Sequence, residues 1–255
     1  MDARAPSCDA RHTVSFVLDP PLHLDLSVPC SPELAAERLG ARLTAVATFV
    51  PEGSIPVDVG TDHARLLIAL VRSGRCPTGI GVDVAEGPYR RAKRAVAGAA
   101  MSHLIAVRQG DGLAPVDPGE ADVAVLAGFG GRTANAVLAA ASDRLPIRRW
   151  VVQVNRDVPA VRRSFEARGL AIVDEALVFD DGRVFVVMAA EAGEMALSDA
   201  DAWLGPRLRA ERSPLFVAWV RSRRDHLRAL AAKGHLSGKS REELSIVEAE
   251  LPGSC

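Results

Sequence analysis

The residues best suited to chemistry lie in one short stretch, Val57–Ala64, which reads Val-Asp-Val-Gly-Thr-Asp-His-Ala. A short apolar run ends at Gly60, and helical spacing resumes almost at once, with Asp62 as the expected N-cap. The pattern predicts a strand, a tight turn and a helix. In an open α/β sheet, such a turn at the carboxyl end of a strand is where ligands bind.

A second acidic residue, Asp83, closes the next apolar run and follows Asp62 by about 20 residues. A carboxylate at a strand end can accept hydrogen bonds from both hydroxyls of a ribose. The two stretches together therefore predict a nucleoside-containing cofactor. Taken alone, the turn also fits a plain connection in which Asp62 only caps a helix and His63 is a surface residue.

Three further strand ends carry groups that could contact a ligand. Asp111, between Gly110 and Gly112, could accept a hydrogen bond from an adenine amino group, although a simple turn fits equally well. Three glycines surround Phe129, which permits close backbone approach and leaves the ring free to stack, with a core phenylalanine as the alternative. Gln153 and Asn155 end the next run with two amides. Because consecutive strand ends carry glycine or polar groups, we expect a ligand site at their common edge.

The apolar pattern places these residues in an α/β fold. Short apolar runs alternate with helical segments, which is typical of a parallel sheet covered on both faces. Asp181-Gly182 joins the last two runs and predicts an antiparallel hairpin. Five parallel strands finishing in a hairpin form the layout of a Rossmann-like class I methyltransferase sheet. The runs are 55–59, 78–82, 103–107, 121–127, 148–154, 170–178 and 184–190, with helices near 63–73, 86–99, 131–143 and 157–168.

Composition divides the chain into three expected parts. Residues 1–32 are rich in proline and predict an extension, either disordered or laid as a hairpin against the domain. Residues 33–194 predict the sheet domain, which opens with a helix over 34–49. Residues 195–255 lack strand signals and carry an apolar stripe interrupted at 234–238, which predicts a C-terminal helical hairpin or a small helical domain.

Charge and cysteine usage limit the functional classes. The formal net charge of −1 argues against a uniformly basic surface for nucleic acid. The four cysteines form no CxxC pair and no zinc-type spacing, so we expect free thiols in a reducing cytosol and no metal site. No apolar run approaches the length of a membrane span, and the amino terminus lacks a signal-peptide core. We therefore expect a cytoplasmic protein that makes no membrane contact.

One local excess of positive charge lies between Trp203 and Arg241, where ten lysines and arginines face two acids. Such a run is either a solvated helix face or a track for phosphates. Arg221, Arg223 and Arg224 stand close together and are the predicted phosphate contacts.

Together, these motifs resemble those of the TrmK family, bacterial tRNA (adenine-22-N1)-methyltransferases that use S-adenosylmethionine. The resemblance runs in order from about residue 34 to residue 230. The family usually has Met where Phe129 stands, Pro where Val154 stands and Tyr-Leu-Pro at 65–67. The matching segments are Asp58–Ala64, Asp83–Pro88, Ala92–Arg94, Val107–Leu113, Ala127–Gly131, Gln153–Asn155, Asp181-Gly182, Ala190–Gly193 and Gly205-Pro206.

With the motifs above, the resemblance implies S-adenosylmethionine as the cofactor and tRNA as the substrate, methylated at N1 of an adenine. The implied cofactor-binding residues are Asp58, Gly60, Asp62, His63, Asp83, Asp111 and Gly112. The implied substrate-binding residues are Phe129, Gly130, Gln153, Arg221, Arg223 and Arg224.

The chemistry of that reaction needs little acid–base help. Adenine N1 exposes a lone pair once the base leaves its pairing partner, so positioning and a suitable electrostatic pocket should dominate. The product base is cationic, and a carbonyl or carboxylate near its amino group would stabilise the transition state. Asp62, the Gly128 carbonyl and the Asn155 amide are the predicted catalytic groups, with Phe129 stacking on a flipped base.

Three alternatives stay open from the sequence. The methyl acceptor could be another RNA base or a small molecule, since a fold does not determine its substrate. A non-catalytic RNA-binding protein could keep the fold as a scaffold, although Asp83, Asp111 and the glycine turn argue against it. A nicotinamide-dependent oxidoreductase is disfavoured by the missing second glycine and the terminal hairpin.

Overall fold

The computed structural model describes residues 31–35, 37, 39–141 and 145–251 of the chain. All but the last two residues of the predicted extension 1–32 lie outside the described residues. A seven-stranded sheet forms the centre of the described part.

The strands and helices follow one another along the chain much as the apolar pattern predicts. The strands are β1 (Pro56–Val59), β2 (Gly79–Asp83), β3 (Ile105–Gln109), β4 (Val123–Phe129), β5 (Arg149–Val154), β6 (Leu170–Asp180) and β7 (Arg183–Ala192). The helices are α1 (Pro32–Ala35), α2 (Ala41–Phe49), α3 (Arg65–Arg72), α4 (Glu86–Gly98), α5 (Gly131–Ala141), α6 (Val158–Ala167), α7 (Asp199–Leu204), α8 (Pro206–Glu211), α9 (Pro214–Ala232) and α10 (Gly238–Glu250).

The sheet has the strand order β3-β2-β1-β4-β5-β7-β6. Strands β1 to β5 are parallel, and β7 pairs antiparallel with both β5 and the edge strand β6. The predicted layout of five parallel strands and a terminal hairpin is confirmed. Strands β2 and β3 lie on one side of β1, whereas β4 and β5 lie on its other side. The carboxyl ends of β1 and β4 therefore form the topological switch point of the sheet, which is where ligands bind in such folds.

Both faces of the sheet are covered, which explains why its strands are apolar along their whole length. In β4, Ala124 and Leu126 face the cluster formed with α5 and α6, while Val123 and Val125 face the cluster formed with α2 and α3. This alternation follows from the two-residue period of a strand. The parallel strands are thereby held rigidly, with their polar carboxyl ends at one edge.

Two local predictions about helices were wrong. The helix expected over 34–49 is two helices, α1 and α2, because the backbone at Gly40 adopts a φ of +83° that a helix cannot contain. Asp62 does not cap a helix: α3 begins at Arg65, and its N-cap residue is Ala64, without a side-chain cap. Asp62 and Ala64 both have positive φ, so the chain makes two left-handed turns before the helix starts.

The predicted helical hairpin is formed by α9 and α10, and two shorter helices, α7 and α8, precede it. Buried residues of these helices, such as Leu204, Phe216 and Val220, belong to the same apolar cluster as the α5–α6 side of the sheet. An ion pair with both side chains fully buried, between Nε of Arg162 in α6 and Oε1 of Glu175 in β6 at 2.8 Å, lies beneath α7 and α8. It connects the sheet to the helical segment, because Nη1 of Arg162 donates to the carbonyls of Ala202 and Trp203.

Candidate active site at the carboxyl edge of the sheet

The glycine turn after β1 is held by the neighbouring strand. The backbone N–H groups of Gly60 and Thr61 both donate to the carbonyl of Val82, at 2.8 and 3.1 Å. Gly60 has a φ of +69°, and a methyl group built on it would lie 2.7 Å from Cζ of Phe129. Glycine is required there for both reasons. The structure therefore brings Phe129, the predicted base-stacking residue, into contact with the predicted cofactor turn.

Asp83 is at the carboxyl end of β2 and is only 8% exposed. Its Oδ2 accepts a hydrogen bond from the Asp62 N–H at 3.3 Å, and its Oδ1 accepts one from the Ala85 N–H at 3.1 Å. Each carboxylate oxygen can accept a second hydrogen bond, so the group is oriented without being saturated. This contact places the carboxylate of Asp83 next to the backbone of Asp62.

Val84 follows Asp83 directly and was missed by sequence reasoning. Val84 is 64% exposed, and no other large apolar side chain among the described residues is exposed in this way. An apolar residue placed immediately after a strand-end carboxylate was the available signal. Such a surface suits the flat face of a purine whose ribose is held by the neighbouring carboxylate.

Asp58 lies within β1 and is only 5% exposed, so its carboxylate is buried. Burial raises the pKa of Asp58 to about 7; the Thr61 hydroxyl lowers it and the Asp83 charge raises it further. Among the described groups, the buried Thr61 Oγ1 has no hydrogen-bond partner of normal geometry, so its help to Asp58 is weak. Asp58 and Thr61 thus place a carboxylate acceptor and a hydroxyl donor at the glycine turn.

Asp62 is half exposed and is paired with an arginine that the motifs did not indicate. Arg91, on α4, donates from Nε and Nη2 to Asp62 Oδ1, at 2.9 and 2.6 Å. Nε2 of His63 lies 3.6 Å from the other carboxylate oxygen. The carboxylate of Asp62 is therefore ion-paired with the guanidinium of Arg91, which is 29 residues away in sequence.

His63 also lines a neighbouring cavity. The cavity has a volume of about 260 Å³ and is also lined by Arg65, Arg72 and Glu37. A second cavity, of about 330 Å³, lies at the amino ends of β2 and β3 and contains none of the predicted site residues.

The ends of β4 and β5 are joined by a side-chain network. Nδ2 of Asn155 donates to the Gly128 carbonyl at 2.8 Å, and Nε2 of Gln153 donates to Oδ1 of Asn155 at 3.1 Å. Oε1 of Gln153, which is fully buried, accepts from the Gly128 N–H at 3.1 Å. Two of the predicted catalytic groups, Gly128 and Asn155, are therefore in direct contact.

The same network extends to a residue outside the predicted set. Nη1 of Arg42, on α2, donates to Gln153 Oε1 at 2.6 Å. At the other side, the Arg156 guanidinium covers Gly130, whose missing methyl group would lie 3.2 Å from Nε. Neither arginine belongs to a strand-end motif, and no local signal in the sequence indicates them.

Asp111 and Gly112 lie beyond the end of β3. The Asp111 side chain is exposed. The backbone carbonyl of Asp111 accepts a hydrogen bond from the Ala114 N–H at 3.0 Å. Gly112 has a φ of +54°. The Gly110 N–H donates to the Asp83 carbonyl at 3.1 Å, which places this loop next to the β2 end.

The three predicted phosphate contacts lie on α9, in the helical segment. Arg223 forms a two-point ion pair with Glu243 of α10, and Arg224 pairs with the adjacent Asp225 at 2.7 Å. Arg221 is exposed and forms no ion pair with any residue the structure describes. The charge excess read from the sequence is therefore partly neutralised by acids of α10.

Within 31–35, 37, 39–141 and 145–251, no three His, Cys, Asp or Glu side chains lie together as metal ligands. No helix in those ranges has the length and hydropathy to span a membrane.

The fold and the strand-end residues define the class of protein. Residues 39–188 match the model of a methyltransferase domain family, and this segment contains every strand-end motif described above. The chain is a methyltransferase with a Rossmann-like sheet. Known relatives define its family more narrowly.

The tRNA (adenine(22)-N(1))-methyltransferase of Bacillus subtilis strain 168 is 34% identical over 188 residues, which cover 71% of this chain and 79% of the relative. The crystal structure of the B. subtilis m1A22 tRNA methyltransferase TrmK superposes with a TM-score of 0.73 at 28% identity, covering 83% of this chain and 95% of that one. Streptococcus pneumoniae Sp1610, solved in complex with S-adenosyl-L-methionine, superposes with a TM-score of 0.76 at 31% identity, covering 83% and 98%. The chain belongs to the tRNA (adenine(22)-N(1))-methyltransferase family, and the family resemblance of its motifs is confirmed.

Proposed function

We propose that this protein transfers the methyl group of S-adenosylmethionine to N1 of adenine 22 in tRNA. The observation that carries the proposal is the contact between the Asn155 amide and the Gly128 carbonyl, at 2.8 Å, on the same sheet edge as Gly60 and Asp83. It combines a nucleoside-binding carboxylate with a polar pair suited to a second base.

The residues present fit the cofactor. Asp83 has free acceptor capacity for two ribose hydroxyls, and the exposed Val84 offers an apolar face to the adenine. The exposed Asp111 lies next to that strand end and would accept a hydrogen bond from the adenine amino group. When bound, S-adenosylmethionine supplies a methyl group on a sulfonium, a carbon that a neutral nitrogen can attack directly.

The chain's own residues then have to orient the target base. The Gly128 carbonyl accepts one hydrogen bond from Asn155 and keeps a lone pair for the exocyclic amino group of adenine. As N1 becomes positively charged, that amino group becomes a stronger donor, so the interaction grows in the transition state. Asn155 retains one N–H for a ring-nitrogen acceptor.

Two further residues complete the proposed base site. Phe129, which lies over Gly60, would stack on the flipped base and keep it next to the methyl group. Asp62, oriented by Arg91, would add a negative charge near the developing cation. No proton has to be removed before the attack, because N1 already presents a lone pair.

tRNA as the partner accounts for the basic residues at the rim and on α9. Arg156 lies over Gly130 at the base site, and Arg221 is exposed on the helical hairpin. Both suit phosphates, whose contacts position the substrate without selecting its sequence. We infer a cytoplasmic location from this proposed substrate.

Bulk tRNA incubated with the protein and S-adenosylmethionine tests the proposal. After digestion, mass spectrometry of the nucleosides should show an increase in 1-methyladenosine that depends on both protein and cofactor. Methylation of another nucleoside, or of none, would contradict it. An Asn155→Ala variant should lose turnover far more than cofactor affinity, because Asn155 contacts the base side of the site.

A further inference from the structure

Arg42 reaches the strand-end network from helix α2, outside every motif in the sequence. Its Nη1 lies 2.6 Å from Oε1 of Gln153, and its guanidinium carbon lies 5.7 Å from the centre of the Phe185 ring. Its backbone N–H separately donates to Oδ2 of Asp180 at 3.2 Å. The side chain and the backbone of Arg42 therefore make contacts that can be removed independently.

The contact with Gln153 determines the orientation of two amides. A guanidinium has five donors and no acceptor, so Gln153 has to present its oxygen, not its nitrogen, to Arg42. That same oxygen holds the Gly128 N–H at 3.1 Å. Nε2 of Gln153 is then left to donate to Oδ1 of Asn155, at 3.1 Å.

The orientation is passed on to the base site. Because its oxygen is engaged by Gln153, Asn155 turns its Nδ2 to the Gly128 carbonyl, at 2.8 Å. If the Asn155 amide were reversed, Oδ1 would face the carbonyl oxygen and two acceptors would oppose each other. The direction in which Asn155 offers its free N–H thus depends on the two donors to Gln153 Oε1, which are the Gly128 N–H and the charged guanidinium of Arg42.

We propose that Arg42 is a positioning residue for methyl transfer, which keeps Asn155 and Gly128 in the orientation that the target base requires. The inference rests on the proposed function. Arg42 itself touches neither substrate nor cofactor in this account, and it acts through the buried Gln153.

The position of α2 does not depend on the Arg42 side chain. Ala45, Val46 and Ala47 of the helix are fully buried against the sheet, and the Asp180 carboxylate holds its first turn through the backbone. Truncating the side chain should therefore leave the helix in place. Asp180→Ala is a matched control, since it removes the helix contact and leaves the Arg42–Gln153 contact intact.

The test compares Arg42→Ala, Arg42→Lys and Asp180→Ala. We expect Arg42→Ala to lower kcat for tRNA by roughly 10- to 100-fold, the loss of one hydrogen bond from a charged donor. The Kd for S-adenosylmethionine should change by less than about twofold, because the contacts of Asp83 are unaffected. Arg42→Lys keeps a donor that cannot accept and should recover part of kcat, and Asp180→Ala should retain most of it.

The side-chain amide signals of Gln153 and Asn155, measured by NMR in the free protein, provide a readout that needs no tRNA. Both signals should shift or broaden in Arg42→Ala and stay near their wild-type positions in Asp180→Ala. Unchanged amide signals, an unchanged kcat, or equal losses in Arg42→Ala and Asp180→Ala would overturn the inference. If the wild-type protein methylated no tRNA, the proposed function would fail, and the amide signals alone would decide whether Arg42 orients Asn155.

Discussion

Asp58 carries a carboxylate that the sheet edge buries beside a second one, Asp83. Burial raises the pKa of Asp58 to about 7 in the folded protein, against an ordinary value of 3.8. Between these two values the folded state binds more protons than the unfolded state. The stability of the protein therefore falls as the pH rises from about 4 to about 7, and the full penalty remains above pH 7.

Asp58→Asn should remove this pH dependence. Relative to the variant, the wild-type protein should lose up to about 4 kcal/mol of unfolding free energy between pH 4 and pH 7, and the difference should level off above that. Urea unfolding of both proteins at pH 4, 5, 6, 7 and 8 measures it. Parallel curves across that range would show that Asp58 titrates at its ordinary pKa.

Asp83 has acceptor capacity left for the ribose of the cofactor. Asp83→Ala should weaken S-adenosylmethionine binding by roughly 1–3 kcal/mol, because the ribose hydroxyls lose a charged acceptor. Asp83→Asn keeps one oxygen and the shape of the turn, so it should lose less. Calorimetry on folded variants provides the comparison, and equal affinities for all three proteins would remove Asp83 from the site.

At the scale of elements, the joint between the sheet and the helical segment depends on a buried ion pair. Nη1 of Arg162 donates to the carbonyls of Ala202 and Trp203, and Glu175 Oε2 accepts from the Arg207 N–H at 3.0 Å. Gly205 lies over this pair, and a methyl group on it would be 2.6 Å from Glu175 Oε2. Any side chain there would have to displace a charge that has no access to water.

Gly205→Ala should therefore cost about 3 kcal/mol or more of unfolding free energy, from backbone strain and a disturbed buried pair. Gly234→Ala is the matched control, since Gly234 also has a positive φ, +72°, but nothing lies within 4 Å of the added methyl group. It should cost only about 1 kcal/mol. Similar losses in urea unfolding would mean that the buried pair tolerates the methyl group.

Most elements of the fold could be predicted from the apolar pattern, because strand and helix periods are local properties. The helix N-cap expected at Asp62 failed because two left-handed residues, Asp62 and Ala64, postpone the start of α3 to Arg65. Arg42 and Arg91 could not be predicted at all. They contact Gln153 and Asp62 from 111 and 29 residues away, and only the packing of α2 and α4 brings them there.

The strand-end residues of the candidate site were recognisable because parallel strands place their carboxyl ends at one edge. Which of them are free to act was not. The orientation of Asn155 depends on a hydrogen bond from Gln153, and the pairing of Asp62 depends on Arg91. Such pairings arise from tertiary contacts that have no periodic signature in the sequence.

For the molecule as a whole, we expect the charge on α9 to contribute to tRNA binding. Arg223 is tied to Glu243, which is 7% exposed, so binding a phosphate there means leaving a mostly buried carboxylate unpaired. Arg221 forms no ion pair within the described part of the chain, so it could bind a phosphate without breaking one. We therefore expect Arg221, and not Arg223, to provide the larger electrostatic contribution.

Arg221→Ala should reduce the slope of log affinity for tRNA against log salt by about one, with unfolding unchanged. Arg223→Ala should instead lower the stability of the helical hairpin, because Glu243 loses its partner. Filter binding at several salt concentrations, together with thermal unfolding, separates the two effects. Equal salt slopes for wild type and Arg221→Ala would assign Arg221 to the solvated helix face.

Methylation of adenine 22 can be tested with two tRNA transcripts that differ only at nucleotide 22, one with adenine and one with guanine. The protein and S-adenosylmethionine should produce 1-methyladenosine in the first transcript and no methylated nucleoside in the second, as measured by mass spectrometry of the digested products. Equal methylation of both transcripts, or a methyl group on a different base of the first, would contradict the account.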